Sequence, residues 1–410
     1  MEIPLASSGL RAKDIEAINE VLNSGQLTMG PRVREFEKLM AEYLQVKHFV
    51  MVNSGSSANL AIVEALLRPA YNEPQLQLGD AVLVPAVAWP TTVWPILQLG
   101  LVPVFVDVDM SSFAIDLDKA QKTIDDSLLS IRAIFPIHPL GRAINPVILD
   151  KFCAKNDLIL INDVCESLGS WSEKIHAGTS GLASSFSFYF SHHITTMEGG
   201  GIATNSDEFS DDLRSIRSHG WSRDRYDAVE WEHQNKNNDD KFLFVSTGYN
   251  IRPMEIQAAV GIEQIRDLPQ FVEKRRAIAR DIAASLAGSR LKLIGEETLG
   301  DYDSEQENSW MLLPILVEIE SKEARKLCIQ FLTSKRIETR PVLTGNFLAQ
   351  PALRRIAQIS QHADEFPIAN KITSHAFLVG AHHDLTSEQV TYLAKTFSEL
   401  VSLLDLEFPK

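Results

Sequence analysis

Cysteine is scarce in this chain of 410 residues. Cys153, Cys165 and Cys328 are odd in number, scattered, and free of any CxxC spacing. Such a pattern is not that of a disulfide framework, and it lacks the several closely spaced thiolates of an iron–sulfur or zinc site. We therefore expect a protein of a reducing compartment, the cytoplasm, with no metal and no iron–sulfur cluster.

Long apolar runs and positive charge are also in short supply. No stretch approaches the ~20 apolar residues that cross a bilayer, and the N-terminus lacks a basic start followed by an apolar segment. These absences argue against a membrane partner and a secretory signal. The net charge of -15 argues against nucleic acid, so any phosphate group must be held by a local site.

The sequence does contain short β-branched runs that alternate with helical segments through its first two thirds. This alternation predicts an α/β fold, in which a large, mostly parallel sheet carries helices on both faces. Ligands of such sheets bind beyond the carboxyl ends of the strands. The predicted strands are 48–52, 81–85, 102–108, 132–138, 158–163, 184–190 and 201–205.

The pattern changes in the last third of the chain. Residues 221–245 are abruptly polar and predict an excursion such as a hairpin, which could reach a partner subunit or cover a site. The following helical run contains Pro269, which should end or kink it. We predict a large α/β domain over 1–255, and a linking helix with a smaller C-terminal α+β domain over 256–410.

The segment VNSGSSANLAIVEALL (52–67) leaves a strand, crosses a Gly/Ser turn and opens a helix. The free amides of such a turn can bind an anion, so Gly55, Ser56 and Ser57 are candidates for a phosphate site. The alternative is that Asn53 to Ser57 only cap the helix. Both interpretations stay open on this stretch alone.

Asp163 stands at the carboxyl end of the apolar strand LILIND. A buried carboxylate without a partner is costly, so a cation is expected beside it. The protonated ring nitrogen of pyridoxal phosphate is one candidate, since enzymes use a carboxylate to keep that ring charged. A salt bridge to Arg or Lys is the other.

The run SFSFYFSHHITTMEGGGIATNS (185–206) leaves a strand, passes two histidines and reaches a glycine triplet. His192 and His193 do not predict a metal site, because adjacent side chains point apart and no third ligand follows at helical spacing. The segment resembles the signature of the DegT/StrS sugar aminotransferases, fold type I enzymes that use pyridoxal phosphate, whose pattern is approximately SFxxxKxxTTGEGG. The resemblance extends through GYNIRPMEIQAAVGIEQI (248–265) to ETRPV (338–342).

The resemblance implies a role for individual residues. Asp163 matches the partner of the ring nitrogen, Glu166 a position near the ring hydroxyl, and Trp89 the position that stacks on the ring. Asn250 matches a residue that reaches the phosphate from a second subunit, which implies a homodimer with shared active sites. The positions that match phosphate contacts are Gly55, Ser56, Ser57 and Ser187.

His192 is the departure from the family pattern, because it stands where most members carry the lysine that binds the cofactor covalently. Imidazole cannot form that link, so pyridoxal phosphate or pyridoxamine phosphate should bind noncovalently. Two interpretations follow. In the first, the chain is an inactive homologue that only binds a sugar nucleotide. In the second, the histidine keeps the proton-transfer role, for which its ordinary pKa is suited.

One branch of the family, the 3-dehydratases of GDP-linked 4-keto-6-deoxy sugars, carries the same replacement. The chain is similar to this branch in the segments FSHHITTMEGG, SHGWSRD (218–224) and RPVLTGNF (340–347). This implies a lyase of deoxysugar biosynthesis that acts on GDP-4-keto-6-deoxy-D-mannose, takes an amine from L-glutamate and releases ammonia. An aminotransferase with noncovalent cofactor is the alternative. His219 and Arg340 match positions near the substrate; the other interpretations are a buried structural histidine and a salt bridge.

Overall fold

Fourteen strands and thirteen α-helices form the part of the chain that the computed structural model describes, residues 1–7, 9–70, 75–236, 239–300, 306–357 and 359–409. The strands are β1 (His48–Val52), β2 (Ala81–Pro85), β3 (Val102–Val106), β4 (Ile131–Ile134), β5 (Ile159–Asp163), β6 (Trp171–Ser172), β7 (Ile175–His176), β8 (Ala183–Ser187), β9 (Gly200–Thr204), β10 (Leu291–Leu293), β11 (Gln306–Glu307), β12 (Leu312–Val317), β13 (Thr339–Arg340) and β14 (Ala376–Gly380). The helices are α1 (Ala12–Ser24), α2 (Pro31–Leu44), α3 (Gly55–Leu67), α4 (Pro90–Gln98), α5 (Leu117–Asp126), α6 (Pro146–Asn156), α7 (Asp207–Ile216), α8 (Ala228–Gln234), α9 (Glu255–Ile265), α10 (Leu268–Leu286), α11 (Lys322–Ser334), α12 (Pro367–His375) and α13 (Ser387–Glu407).

The large sheet has seven strands in the order β1-β9-β8-β5-β4-β2-β3. Only β9 runs antiparallel to its neighbours, β1 and β8, and the remaining pairs are parallel. This arrangement confirms the predicted α/β fold with its mostly parallel sheet. Since β1 and β8 are both antiparallel to β9, the parallel strands all end at one edge, where a ligand site is expected.

Strand β1 shows why helices cover both faces of the sheet. Successive side chains of a strand point to opposite faces. Val50 and Val52 pack in the same apolar cluster as the residues of α3, whereas Phe49 and Met51 pack with Phe36 of α2. Each face is thus buried by a helix layer, as in other doubly covered sheets.

The small sheet has four antiparallel strands in the order β10-β12-β14-β13. One face of β12, with Leu313 and Ile315, packs in a cluster with Phe397 of α13. Leu312 and Leu316, on the opposite face, belong to the apolar cluster of the large sheet. The two sheets are therefore joined by continuous packing, and the division after residue 255 stays a prediction.

The helix boundary near Pro269 follows the predicted rule. Helix α9 ends at Ile265, and α10 begins at Leu268 with Pro269 in its first turn, where a missing amide hydrogen costs nothing. The predicted hairpin over 221–245 is wrong in its detail, because α8 lies within that segment. Its two ends do meet, in a bridge between Trp221 and Phe244; residues 237 and 238 lie outside the described part of the chain.

Within the described ranges, no helix combines the length and the apolar character needed to cross a membrane.

Helix α9 is attached to the start of α2 by one carboxylate. Glu255 is buried and accepts hydrogen bonds from the backbone amides of Gly30 at 2.7 Å, Val33 at 2.9 Å and Arg32 at 2.9 Å. These are amides of the helix N-terminus that have no partner within the helix. Glu255 therefore couples two helices that pack beside the sheet.

We expect Glu255→Gln to lower the free energy of unfolding by about 1–3 kcal/mol, because an amide group replaces one acceptor oxygen with a donor that faces a backbone N–H. Urea unfolding followed by circular dichroism measures the change. Glu263→Gln is the control on the same helix, since Glu263 makes only partly exposed ion pairs and should cost less than about 1 kcal/mol. Equal effects for the two variants would contradict the coupling role of Glu255.

Candidate active site

A cavity of about 400 Å³ lies at the carboxyl edge of the large sheet, where β5 and β8 end. Arg340 and Leu343 of the small-sheet side form part of its wall. Eight of the eleven predicted site residues line it. They are Gly55, Ser56, Trp89, Asp163, Glu166, Ser187, His192 and Arg340.

The Gly/Ser turn forms one wall of the cavity and caps a helix as well. Ser54 is the N-cap of α3, and its Oγ accepts a hydrogen bond from the Ser57 amide at 3.1 Å. Ser57 is used in this cap and does not line the cavity, while Gly55 and Ser56 do. The helix-cap interpretation therefore holds for Ser54 and Ser57, whereas phosphate binding by Gly55, Ser56 and Ser57 stays a prediction.

Asp163 is 5% exposed and is held by three neutral donors. Its Oδ2 accepts hydrogen bonds from Asn59 Nδ2 at 2.9 Å and Thr92 Oγ1 at 2.7 Å, and its Oδ1 accepts one from the Cys165 amide at 3.1 Å. Among the described residues, no Arg, Lys or His side chain forms an ion pair with it. No residue in this part of the chain supports the salt-bridge interpretation of Asp163. The carboxylate of Asp163 faces the cavity without a counter-charge.

Glu166 and Arg340 meet across the cavity. Arg340 Nη2 lies 3.5 Å from Glu166 Oε1, and the other carboxylate oxygen accepts a hydrogen bond from the Leu140 amide at 3.0 Å. Burial raises the pKa of Glu166 above its ordinary value, although Arg340 opposes the shift. Arg340 thus makes the predicted salt bridge and also faces the space where a ligand would lie.

His192 belongs to the loop between β8 and β9, and its ring reaches the cavity. Its backbone amide donates to the Tyr189 carbonyl at 2.9 Å, and its Nδ1 atom is buried without a hydrogen-bond partner among the described residues. Burial, aided by the cations Arg340 and Arg275, lowers the pKa of His192 to about 3. The imidazole is therefore uncharged at neutral pH and can act as a base.

Two glutamines of α9 hold this loop. Gln264 Oε1 accepts a hydrogen bond from the Thr195 amide at 2.8 Å, and Gln257 Nε2 donates to the Glu198 carbonyl. Both contacts bind the backbone on the C-terminal side of His192. The histidine is consequently carried by a loop whose main chain is bonded to a packed helix.

His219 and Asn250 lie apart from the cavity of their own chain. Both are exposed, and their segments are joined by a backbone hydrogen bond from the His219 amide to the Tyr249 carbonyl at 2.8 Å. The interpretation of His219 as a buried structural histidine is therefore wrong. The roles of both residues toward a substrate or a second subunit stay predictions.

Sequence reasoning missed several residues of the site. Asn59 and Thr92 hold Asp163, and Tyr189 and Glu198 line the cavity beside His192. A signal for the first two was present, since each is a polar residue in the opening turns of an otherwise apolar helix that follows a strand. Within the described residues, no group of three or more His, Cys, Asp or Glu side chains is placed to hold a metal ion.

The profile of the DegT/DnrJ/EryC1/StrS aminotransferase family matches residues 9–398 of this chain. The chain belongs to that family. Among curated members, it is 36% identical over 395 residues to GDP-4-keto-6-deoxy-D-mannose 3-dehydratase of Yersinia pseudotuberculosis, a match that covers 96% of this chain and 97% of the relative. The enzyme of the same name from Escherichia coli O55:H7 is 35% identical over 392 residues, with 95% and 98% covered.

Solved structures of this family superimpose on nearly the whole chain. A variant of GDP-4-keto-6-deoxymannose 3-dehydratase with bound GDP-perosamine matches with a TM-score of 0.87 and 34% identity, covering 97% of this chain and 100% of that one. A second structure of that enzyme, which holds a trapped PLP–glutamate geminal diamine, matches with a TM-score of 0.85 and 33% identity over 97% and 100%. The predicted family membership is thus confirmed.

We expect Gly55→Ala to disturb the cavity wall, because a Cβ at this position would lie 2.6 Å from Ser187 Cβ and 3.0 Å from Cys165 Sγ. A close contact of this kind costs about 1–3 kcal/mol, and to the extent that the cost falls on the bound state it lowers the affinity for pyridoxal phosphate by about fivefold to 150-fold. A fluorescence titration with the cofactor measures the loss.

Gly300→Ala is the matched control, because φ at Gly300 is -64° and, apart from its chain neighbours, no atom of the described residues lies within 4 Å of the added Cβ. It should bind the cofactor like the wild type. An unchanged affinity in Gly55→Ala would show that the turn does not contact the ligand.

Proposed function

We propose that this chain is a 3-dehydratase of GDP-4-keto-6-deoxy-D-mannose that uses pyridoxal phosphate and pyridoxamine phosphate without a covalent link, takes its amine from L-glutamate and releases ammonia. The observation that carries the proposal is the pairing of an uncharged imidazole, His192, with a buried carboxylate, Asp163, that lacks a cation. Both line one cavity. The relatives with this activity match the chain over nearly its full length.

The residues present fit the cofactor. Asp163 offers an unpaired negative charge to the protonated ring nitrogen, which supplies the cation that the protein itself lacks there. Trp89 is 50% exposed and stands at the cavity, where an indole ring can stack on a flat ligand. The described cavity wall contains no lysine, so no amine is available there for covalent attachment.

When bound, pyridoxamine phosphate supplies an amine that condenses with the C4 ketone of the sugar and a ring that accepts electrons. In this proposal, His192 takes and returns protons at the reacting carbon. The pKa of His192 is low in the protein alone, because burial and two arginines disfavour its charged form. An anionic cofactor and substrate oppose that effect, and so raise the basicity of the imidazole when the site is filled.

The remaining residues orient the ligands. Gly55, Ser56 and Ser187 lie together at the ends of β1 and β8, where amides and hydroxyls can hold the cofactor phosphate. We assign Glu166 to the ring hydroxyl and Arg340 to the anionic sugar nucleotide. Their contact at 3.5 Å is long for an ion pair, which leaves the guanidinium able to turn toward a ligand.

The imidazole also explains the preference for deoxygenation. A lysine at this position could capture the cofactor or return a proton that leads to an amino sugar, whereas imidazole forms no stable covalent link with it. The enamine product is then free to leave and hydrolyse. In the overall reaction the sugar loses its C3 oxygen, glutamate becomes 2-oxoglutarate, and its nitrogen is released as ammonia.

We also propose a homodimer with shared active sites in the cytoplasm. Asn250 and His219 are exposed and do not line their own cavity, as expected for residues that serve the partner's site. The exposed apolar side chains of Phe242, Phe244 and Met254 on the same part of the chain are typical of an interface. The three cysteines are free thiols, in keeping with a reducing compartment.

We expect the purified protein with pyridoxal phosphate, L-glutamate and GDP-4-keto-6-deoxy-D-mannose to release ammonia and to yield a sugar nucleotide that is one oxygen atom lighter. Mass spectrometry of the product distinguishes the alternatives. A product that carries nitrogen at C4 would identify an aminotransferase. No product, with no change in the cofactor spectrum on adding glutamate, would identify a homologue that only binds ligands.

His192→Asn tests the assigned base. We expect kcat to fall by about 10²–10⁴-fold, the usual contribution of a general base, while the affinity for pyridoxal phosphate stays within about threefold. His362→Asn, at an exposed position that does not line the cavity, is the control and should retain full activity. Activity retained in His192→Asn would remove the histidine from the mechanism.

Mixing two inactive variants tests the shared site. If Asn250 serves the partner's cavity, a heterodimer of His192→Asn and Asn250→Ala subunits contains one intact site. Random subunit exchange should then restore up to about one quarter of the wild-type activity. The absence of recovery, with heterodimers demonstrated by native mass spectrometry, would place Asn250 outside the site.

A further inference from the structure

Arg275 of α10 is buried behind the loop that carries His192. Its side chain is 2% exposed, and all its hydrogen bonds in the described part of the chain go to main-chain carbonyls. Nη1 donates to Met311 at 2.9 Å, and at longer distances to Trp310 and Ala381. Nη2 donates to the carbonyl of His192 at 3.5 Å.

This guanidinium has no carboxylate partner within ion-pair distance among the described residues. The neighbouring Arg276 is also buried, but it pairs with Glu307 at 2.6 Å. Asp384 acts on Arg275 electrostatically, but it forms no ion pair with it. The direct contacts of this buried charge are therefore the main-chain carbonyls, which it joins by hydrogen bonds.

The carbonyl partners of Arg275 come from three separate segments. His192 follows β8 of the large sheet, Trp310 and Met311 precede β12 of the small sheet, and Ala381 follows β14. Met311 itself lines the cavity beside His192. One planar guanidinium thus joins the loop of the proposed base to the strands that form the opposite wall, a geometry that an ammonium group cannot reproduce.

We propose that Arg275 is the positioning residue of His192: its guanidinium fixes the backbone of the His192 loop against the small sheet and places a permanent positive charge behind the imidazole. The inference rests on the proposed function, in which His192 carries protons. Arg275 does not line the cavity, so it acts through His192 and not on the substrate.

The pKa values of the histidines around Arg275 support this role. Burial, with Arg275 as a further cause, lowers the pKa of His382 to about 4 and of His383 to about 3, and the pKa of His193 falls well below its ordinary value. The histidines around Arg275 are therefore uncharged at neutral pH, and Arg275 supplies the fixed charge of the cluster. The other titratable or charged groups of the described residues that share the cavity or this cluster with His192 are Asp163, Cys165, Glu166, Tyr189, Glu198, Arg340, Lys274 and Asp384.

The test measures the titration of the His192 ring by NMR in the protein as purified, independently of turnover. In wild type, His192 should titrate well below the ordinary histidine value of about 6.5. In Arg275→Met the like charge is removed, so the charged imidazole is less disfavoured and the midpoint should rise by about one pH unit or more. Arg275→Lys keeps the charge and should leave the midpoint low.

The separate effects of Arg275→Lys on kcat and on KM test whether Arg275 positions the His192 loop. Arg275→Lys loses the bridge between carbonyls, so kcat should fall about tenfold while KM for the sugar nucleotide stays within about twofold. Arg276→Met is the matched control on the same helix. It removes a buried arginine that has its own carboxylate, and it should change neither the His192 midpoint nor kcat by more than about twofold.

The outcomes separate the two proposals. Wild-type protein without dehydratase activity contradicts the proposed function, whatever the titration shows. Active wild type in which His192 titrates near 6.5, or in which Arg275→Lys retains full kcat, overturns the role of Arg275. Should Arg275→Met fail to fold, the wild-type titration and Arg275→Lys still decide the question.

Discussion

The carboxylate of Asp163, buried without a counter-charge, is the constraint on which the rest of the site depends. Three neutral donors hold it at the end of β5, and none of them removes its charge. These hydrogen bonds offset part of the desolvation cost of the carboxylate, and a cationic ligand in the cavity would offset more of it. This charge lies at the centre of the site. The end of β5, the helices that follow β1 and β2, and the cavity surround it.

Opposite Asp163, the protein places positive charge and an uncharged imidazole. Arg340 comes from the small sheet, Arg275 from the helix that leads to it, and His192 from a loop of the large sheet. The cavity wall thus contains the negative charge of Asp163 and, from the small-sheet side, the positive charge of Arg340. Because the two sheets share one apolar cluster, these charges are held at fixed separation without contact between the side chains themselves.

Sequence patterns predicted the elements of the large sheet well, because its strands are short apolar runs, buried on both faces, with turn residues at their ends. Asp163 and the Gly/Ser turn could be singled out for the same reason, since polar residues stand out where such a run ends. Arg275 could not be found in this way. It lies in a helix rich in arginine and lysine, where an arginine at any exposed position would look the same, and only packing distinguishes it. The 221–245 segment was also misjudged, since its polar composition conceals the helix α8.

The sequence by itself determined the fold, the family, the strand ends that carry the site, and the replacement of the usual lysine by His192. These depend on local periodicity and on residue identity, which are written directly in the chain. Only the tertiary structure decided that Asn59 and Thr92 hold Asp163, that Asn250 and His219 do not line their own cavity, and that Arg275 donates to the His192 carbonyl. Each of these relations joins residues far apart in the chain, and residue spacing carries no information about which of them meet when two sheets and a linking helix pack together.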